Sequence, residues 1–376
     1  MNIPFGNLTV GPYARELIAK VLDSGQLTEG PLTEQFEKLY AAKFGWKHAI
    51  ATSSGTTAGE VVWAAIREIA ELEHGQGDVL TPACAFVATA NCILAAGMQP
   101  AFVDIELGTL NINPRGIQPG LDITMPVAIQ HVSTMGKPTP ISKIEQIAYD
   151  HDLWLVSDSC EAHGARLNAS FADHYADAAI YSLYPAHLIT AGEGGVICTD
   201  DDELASLCRS IKSHGRPAGC NFFNFQHVAF NAKFNELAAA IALESLESFD
   251  ARYAKRRWVR QRLLEVLSPY EDNLILYRDG ESEEIAPHAF AVILRDPYAD
   301  VMPLYRHLEA NSVEVKTLFG ALPLHKAFRF MGHEPGEYAV AERVGKGGLH
   351  FSCAEYMEEE HVRYVAGLVG EFLRGR

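Results

Sequence analysis

The chain has 376 residues, enough for two to three domains, and its 31 Lys and Arg against 48 Asp and Glu leave a formal charge of −17. So acidic a chain repels phosphate backbones, and its densest basic run, Lys255-Arg256-Arg257 with Arg260 and Arg262, lies on a helical stretch flanked by acids; no nucleic-acid partner is expected. With 48% hydrophobic and 21% charged residues the composition is that of a globular protein with a sizeable core, which excludes disordered, collagenous and fibrous classes.

Helical spacing of Phe36, Leu39, Tyr40 and Phe44 predicts a helix over 32–44, followed by a short strand at 48–51. A helix over 56–70 carries Val61, Val62, Ala65, Ile66 and Ile69 on its apolar stripe. A strand at 78–81 ends at Pro82, and a largely apolar helix over 86–96 is closed by Gly97. Strands are predicted at 100–104, 124–129 and 153–158, the last two separated by a helix over 141–151. Further strands at 178–183 and 195–199 precede a helix over 202–213, and a long helical stretch over 235–266 leads out of this region. Beyond it, strands at 289–294 and 312–316 and a closing helix over 358–372 predict a smaller α+β unit. The alternation in the first part predicts a mostly parallel sheet covered on both faces, so the expected division is a large α/β domain over 1–250 and a small α+β domain over 251–376. In such a sheet ligands gather at the carboxyl ends of strands.

The N-terminus Met1-Asn2-Ile3-Pro4-Phe5-Gly6 shows no signal-peptide pattern, and no apolar run approaches the roughly 20 residues that cross a bilayer, so no membrane partner is expected. Seven scattered cysteines (Cys84, Cys92, Cys160, Cys198, Cys208, Cys220 and Cys353) with no CxxC pair argue against a disulfide framework or a closed metal site, and favour a reducing cytoplasm.

Three segments carry chemistry. Ser53-Ser54-Gly55-Thr56-Thr57-Ala58 places a strand end, a small-residue turn and a helix start in series, aiming backbone N–H groups at a point where a phosphate can bind; taken alone, it is equally an ordinary N-cap. Asp158 ends the apolar run Leu153-Trp154-Leu155-Val156-Ser157, where a carboxylate needs a cationic or hydrogen-bonding partner. A protonated pyridine nitrogen would be one, as in pyridoxal-phosphate sites, and a helix cap for 159–164 is the alternative. From Tyr181 a strand runs through Ser182 into a loop with one imidazole, His187, and then into Gly192-Glu193-Gly194-Gly195, where backbone can approach a ligand closely.

With Gly25-Gln26-Leu27-Thr28-Glu29-Gly30-Pro31, Phe86-Val87-Ala88-Thr89, Asp158-Ser159-Cys160-Glu161-Ala162-His163-Gly164-Ala165, His214-Gly215 and Asn231-Ala232-Lys233-Phe234-Asn235-Glu236-Leu237, these segments resemble the DegT/DnrJ/EryC1/StrS family of sugar aminotransferases over nearly the whole chain. That resemblance implies a fold type I pyridoxal-phosphate enzyme of the aspartate aminotransferase kind: an α/β fold with a large, mostly parallel seven-stranded sheet domain and a smaller C-terminal α+β domain.

The chain departs from the family where its aminotransferases carry the Schiff-base lysine. His187 stands there, and no Lys lies between Lys143 and Lys212. Imidazole cannot replace a primary amine in a covalent tether, yet it can act as acid or base near neutral pH. The loop Tyr184-Pro185-Ala186-His187 is similar to that of the nucleotide-sugar 3-dehydratases of the GDP-4-keto-6-deoxymannose type, with Leu188 where those enzymes have a second His. What this implies is dehydration at C3 of a nucleotide-linked 4-keto-6-deoxyhexose, as in deoxysugar biosynthesis for lipopolysaccharide O-antigens. Pyridoxamine phosphate, not covalently bound, would serve as cofactor, His187 would move the protons, and an amino acid, typically L-glutamate, would regenerate the cofactor.

The resemblance carries other roles over position by position. Phe86 would stack on the pyridine ring, with a core residue as its alternative; Asp158 would meet the ring nitrogen, and Glu161 stands where the family commonly has Gln near the ring hydroxyl. Gly55, Thr56 and Ser182 would hold the phosphate, while Asn231 would reach the phosphate of a neighbouring subunit, implying a homodimer with shared sites. Lys233 and Lys316, at positions where Arg is common, would meet substrate charge. An iron–sulfur branch of the dehydratases needs several cysteines after the His loop, and Cys208 and Cys220 are too few, so no cluster is expected. Two alternatives stand beside the dehydratase: an aminotransferase of the same family working without the lysine, and a catalytically inactive sugar-binding or regulatory homologue. The retained Asp158, Gly55-Thr56 and Asn231 argue against the latter.

Overall fold

The structure is a computed structural model that describes residues 1–6, 8–217 and 223–375. Its centre is a seven-stranded sheet in the spatial order His48–Thr52, Gly195–Thr199, Ala178–Ser182, Trp154–Asp158, Pro126–Val132, Asp78–Pro82 and Gln99–Val103. Only Gly195–Thr199 runs against the others. Six strands therefore end along one edge, as the βαβ alternation predicts, and the antiparallel strand begins there. Val156, Ala178, Ile180 and Ile197 pack against the helix Gly55–Ile69 on one face, while Leu155, Ala179, Tyr181, Val196 and Cys198 join the cluster built on Phe36, Tyr40 and Phe44 on the other. Burial on both faces explains why these strands read as continuous apolar runs rather than alternating ones.

The predicted elements recur with shifts whose causes are local. The helix expected over 86–96 is Ala88–Ala95; the Thr89 N–H turns back to the Phe86 carbonyl, leaving Phe86 on the preceding loop. The stretch expected over 235–266 is two helices, Glu236–Glu247 and Phe249–Leu267, which meet at Ser248, where ψ is 0° and the Ser248 Oγ donates to the Ser245 carbonyl. Elements outside the sequence expectation include the helices Pro12–Ser24, Pro114–Ile123, Met302–Ala310 and Ala339–Gly347, and the strands Leu274–Leu276 and Gly348–Ser352.

The second sheet is antiparallel, in the order Leu274–Leu276, Ala289–Leu294, Gly348–Ser352 and Val315–Thr317. Its core is Phe290, Val292, Leu349 and Phe351 against the helices Phe249–Leu267 and Glu359–Arg374, and it also takes in Ile3, which bridges to Val313. The N-terminal residues thus return to the C-terminal half and deliver Phe5 beside His288 and His350. Among the described residues no helix is long and apolar enough to cross a membrane.

The sheet edge is closed to within contact distance at one point. Gly195 is paired with both Thr52 and Ser182, and a Cβ on it would stand 2.3 Å from the Ser54 carbonyl oxygen and 2.7 Å from the Gly55 nitrogen. Only a residue without a side chain lets the helix start at Gly55 sit this close to the strands. Gly195→Ala is expected to lower stability by about 1–3 kcal/mol, the usual range for overpacking, read as a fall in the urea midpoint at constant m. An unchanged midpoint would show that the helix start is free to shift.

Candidate active site

The helix Gly55–Ile69 begins with a reciprocal cap: Ser54 Oγ accepts the Thr57 N–H at 3.0 Å and Thr57 Oγ1 accepts the Ser54 N–H at 3.0 Å. This leaves the N–H groups of Gly55 and Thr56 as the open donors of the first turn. The two readings of this segment coexist, because Ser54 is the cap and the next two residues form the anion-binding end. A Cβ on Gly55 would lie 2.8 Å from the Ser182 Cβ and 3.2 Å from the Cys160 Sγ, so the turn, the end of the Ser182 strand and the segment after Asp158 converge.

Asp158 caps its strand at the same edge. Its Oδ2 accepts the Thr89 hydroxyl at 2.8 Å and its Oδ1 the Cys160 N–H at 3.3 Å. Among the described residues no Lys, Arg or His pairs with it, so a protonated pyridine nitrogen would meet this carboxylate without a competing cation. Phe86 is 59% exposed and faces Phe319 at 5.9 Å between ring centres, which rules out the core alternative and suits a ring that covers a planar ligand. The acceptor-only carboxylate, the open helix N–H groups and the exposed ring fit pyridoxamine or pyridoxal phosphate.

His187 is 9% exposed. Its loop is tied from behind by Arg256, a guanidinium only 1% exposed, whose Nη1 donates to the Ala186 carbonyl at 2.9 Å and whose Nη2 lies 3.4 Å from that of His187. Glu355 balances this charge through the Arg256 Nε at 2.6 Å and takes the Arg252 Nε at 2.8 Å. Arg260, too, is buried and paired with Asp279, while Lys255, Arg257 and Arg262 are half-buried and paired with Glu358, Asp279 and Glu359. The His187 Nδ1 meets the His288 Nδ1 at 3.3 Å, and the His288 Nε2 lies 3.4 Å from the Glu161 Oε1. The Met135 N–H donates to the other Glu161 oxygen at 2.7 Å. Burial, with Arg256 adding to it, pushes the His187 imidazole down to about 3, and burial likewise drives His288 well below its ordinary range. Burial raises the Glu161 carboxyl to about 7 against the Met135 N–H, with Asp158 reinforcing the rise.

The remaining predicted residues lie at the rim. The Lys316 ammonium stands 4.4 Å from the centre of the Phe5 ring, which abuts His288. Lys233 Nζ lies 3.4 Å from the His214 Nε2, and its backbone bridges Thr52 at the sheet edge. Asn231 is exposed, bridged to Ser213, with no side-chain contact to Gly55, Asp158 or His187 among the described residues. Cys208, on the helix Asp202–Ile211, is fully buried in an apolar cluster, and Cys220 lies outside the described residues. No group of three or more His, Cys, Asp or Glu able to hold a metal is found among the described residues. Sequence reasoning missed His288, Met135, Thr89 and Arg256 as parts of the site. Of these only Thr89, one turn from Phe86, carried a local signal; His288 is 101 residues from His187.

The sequence model of the DegT/DnrJ/EryC1/StrS aminotransferase family matches residues 11–370. Over 384 residues the chain is 29% identical to a dTDP-4-dehydro-2,6-dideoxy-D-glucose 3-dehydratase of Saccharopolyspora spinosa, covering 93% of this chain and 81% of that protein. It is also 29% identical over 393 residues to a pleiotropic regulatory protein of Geobacillus stearothermophilus, covering 100% of this chain and 99% of that one. Among solved structures, a His-to-Asn variant of GDP-4-keto-6-deoxymannose-3-dehydratase with bound GDP-perosamine superposes with a TM-score of 0.88 at 25% identity, over 98% of this chain and 100% of the other.

Because the Glu161 carboxyl rises from the usual 4.5 to about 7 in the fold, the folded chain binds its proton more tightly than the unfolded chain across that window. Its contribution to stability therefore falls as pH rises from 4.5 to 7. Glu161→Gln removes the titration, so the stability of this variant relative to the parent should rise by on the order of 3 kcal/mol across the window. Urea unfolding at several pH values checks this, and a pH-independent difference would contradict it.

Proposed function

Since the chain belongs to the DegT/DnrJ/EryC1/StrS aminotransferase family of pyridoxal-phosphate-dependent, nucleotide-sugar-modifying enzymes, we propose that it is the dehydratase kind of member. On this reading it removes the C3 hydroxyl of a nucleotide-linked 4-keto-6-deoxyhexose, using pyridoxamine phosphate that is held without a covalent bond. The observation that carries this reading is a buried imidazole, His187, in the loop where the aminotransferases keep their lysine, paired with a second imidazole and backed by Arg256.

The cofactor, when bound, supplies the amine that joins the sugar ketone and the ring that spreads negative charge. The chain's residues do the rest. The open N–H groups of Gly55 and Thr56, with the Ser182 hydroxyl, bind the phosphate at the positive end of the helix Gly55–Ile69. Asp158 keeps a proton on the ring nitrogen, and the Thr89 hydroxyl and Cys160 N–H hold its carboxylate in place. Phe86 and Phe319 cover the ring and keep water off it. His187 accepts a proton at its free Nε2 and returns one to the departing C3 hydroxyl, a task suited to a group that stays neutral between turnovers. Lys316 and Lys233 at the rim meet the diphosphate of the substrate, L-glutamate restores the amine, and the exposed Asn231 completes the phosphate site of a second subunit in a homodimer.

Incubation of the purified chain with pyridoxamine phosphate, L-glutamate and a panel of 4-keto-6-deoxy nucleotide sugars, followed by mass spectrometry, should show loss of water from the sugar. Gain of nitrogen at C4 would instead identify an aminotransferase, and tight sugar binding without turnover a regulatory homologue. His187→Lys should lose at least 100-fold in dehydration and acquire a borohydride-fixed cofactor adduct; unchanged dehydration would overturn the role of His187.

A further inference from the structure

We infer that His187 is the outer end of a proton relay, His187–His288–Glu161, in which His288 is a positioning residue and the Glu161 carboxyl stores the proton; the use made of that proton rests on the dehydration proposed above. The three groups form an unbranched line of contacts, Nδ1 to Nδ1 at 3.3 Å and Nε2 to Oε1 at 3.4 Å, joining a loop of the large sheet to the segment before the strand Ala289–Leu294 and back to the end of the Asp158 strand. His187 and His288 are buried and the Glu161 side chain is only 14% exposed, with its far carboxyl oxygen fixed by the Met135 N–H. Met135 holds a left-handed backbone, φ 55°, which a side-chain-bearing residue adopts only at a cost, and that conformation aims its N–H at this carboxyl.

The line has two neutral states. With Glu161 ionised, the His288 Nε2–H points at the carboxylate, the bare His288 Nδ1 accepts the His187 Nδ1–H, and the His187 Nε2 is left as a free base. When a proton arrives at that Nε2, the Nδ1 proton of His187 passes to the His288 Nδ1 and the Nε2 proton of His288 passes to Glu161. One proton enters and one is stored, both rings end neutral, and the His187 Nε2–H has become a donor. Reversing the shift returns the proton to a leaving hydroxyl. The same residue thereby serves as base and then acid without an imidazolium in a buried site.

The surroundings favour this route. On the Glu161 side stand Asp158, Cys84 and Cys160; around His187 stand Arg256, His163 and Tyr184; around His288 stand Arg256, Lys316, His350 and His187. The cations oppose charge on either imidazole, and Asp158 opposes charge on the carboxyl. A proton therefore rests on Glu161, at about 7, in preference to His187, at about 3.

The test uses the full-length chain with 15N-labelled imidazoles, free of small molecules, so that it stands apart from any reaction. Nitrogen shifts of His187 should show a neutral ring from pH 5 to 9 whose proton moves from Nε2 at low pH to Nδ1 at high pH, with a midpoint near 7. Glu161→Gln should abolish that pH-dependent switch, and His288→Phe should uncouple His187 from Glu161. A His187 that takes up a second proton near its ordinary 6.5, or a switch that persists in Glu161→Gln, would overturn the relay. With substrate, Glu161→Gln and His288→Phe should each lower kcat about 100-fold with little change in KM, and their pH profiles should lose the limb near 7. An intact switch in a chain that dehydrates no keto-sugar would leave the relay standing and remove the proposed reaction.

Discussion

An imidazole cut off from water cannot carry charge cheaply, and that constraint organises this site. His187 is buried and lies next to a guanidinium. Under those conditions a histidine remains neutral, so its usefulness depends on which nitrogen holds its one proton and on what lies behind it. Arg256 bears on both points. By donating to the Ala186 carbonyl and reaching that of His187 it fixes the loop, and its positive charge opposes protonation of the ring. Glu355 keeps that guanidinium from being an uncompensated buried charge, a situation that costs about 3–5 kcal/mol where it occurs.

The part of this arrangement legible in the sequence is the part encoded locally. A strand running into small residues and then a helix, as at Ser53-Ser54-Gly55-Thr56, states its own phosphate-binding geometry, and an apolar run ending in Asp158 announces a carboxylate that needs a partner. The apolar runs of the large sheet were legible because both faces are covered, whereas the helix Pro114–Ile123 contains Pro119 and two glycines, residues that disfavour helix in isolation and hide it from pattern reading. The break at Ser248 was equally silent, since apolar and charged residues continue on both sides without a Gly or Pro to mark the joint. His288 could not be read at all: it acquires meaning only when the second sheet folds back over the first. Arg256 was equally hidden, since its place in a run of three cations says nothing of burial until Glu355, 99 residues away, takes it into the core.

The two halves of the chain supply different parts of the chemistry. The edge of the seven-stranded sheet fixes the elements that would hold a planar, phosphorylated cofactor on the proposed reading: open N–H groups, a carboxylate and an exposed ring. The second half covers that edge with aromatic and imidazole groups, running from Phe319 through His350 and Phe5 to His288, each in ring contact with the next. Phe5 belongs to this wall because Ile3 anchors the N-terminus in the second core, so the first residues of the chain help to shape the mouth of a site built mostly from residues far along it.

Two departures from the family pattern become a single one when read through this geometry. A lysine is a primary amine that works by covalent capture and needs no proton store. On the proposed reading, His187 in its place removes the capture and leaves a base that must hold each proton between taking it and returning it. Glu161 provides the place to hold it, since a carboxyl raised to about 7 can gain and lose a proton near neutral pH. His288 supplies the missing distance between them with two nitrogens that face opposite ways. Histidine at 187 without a carboxyl at 161 would have to carry the proton as a buried imidazolium between taking it and returning it, and a carboxyl at 161 without the imidazoles would be a buried acid with no path to the substrate.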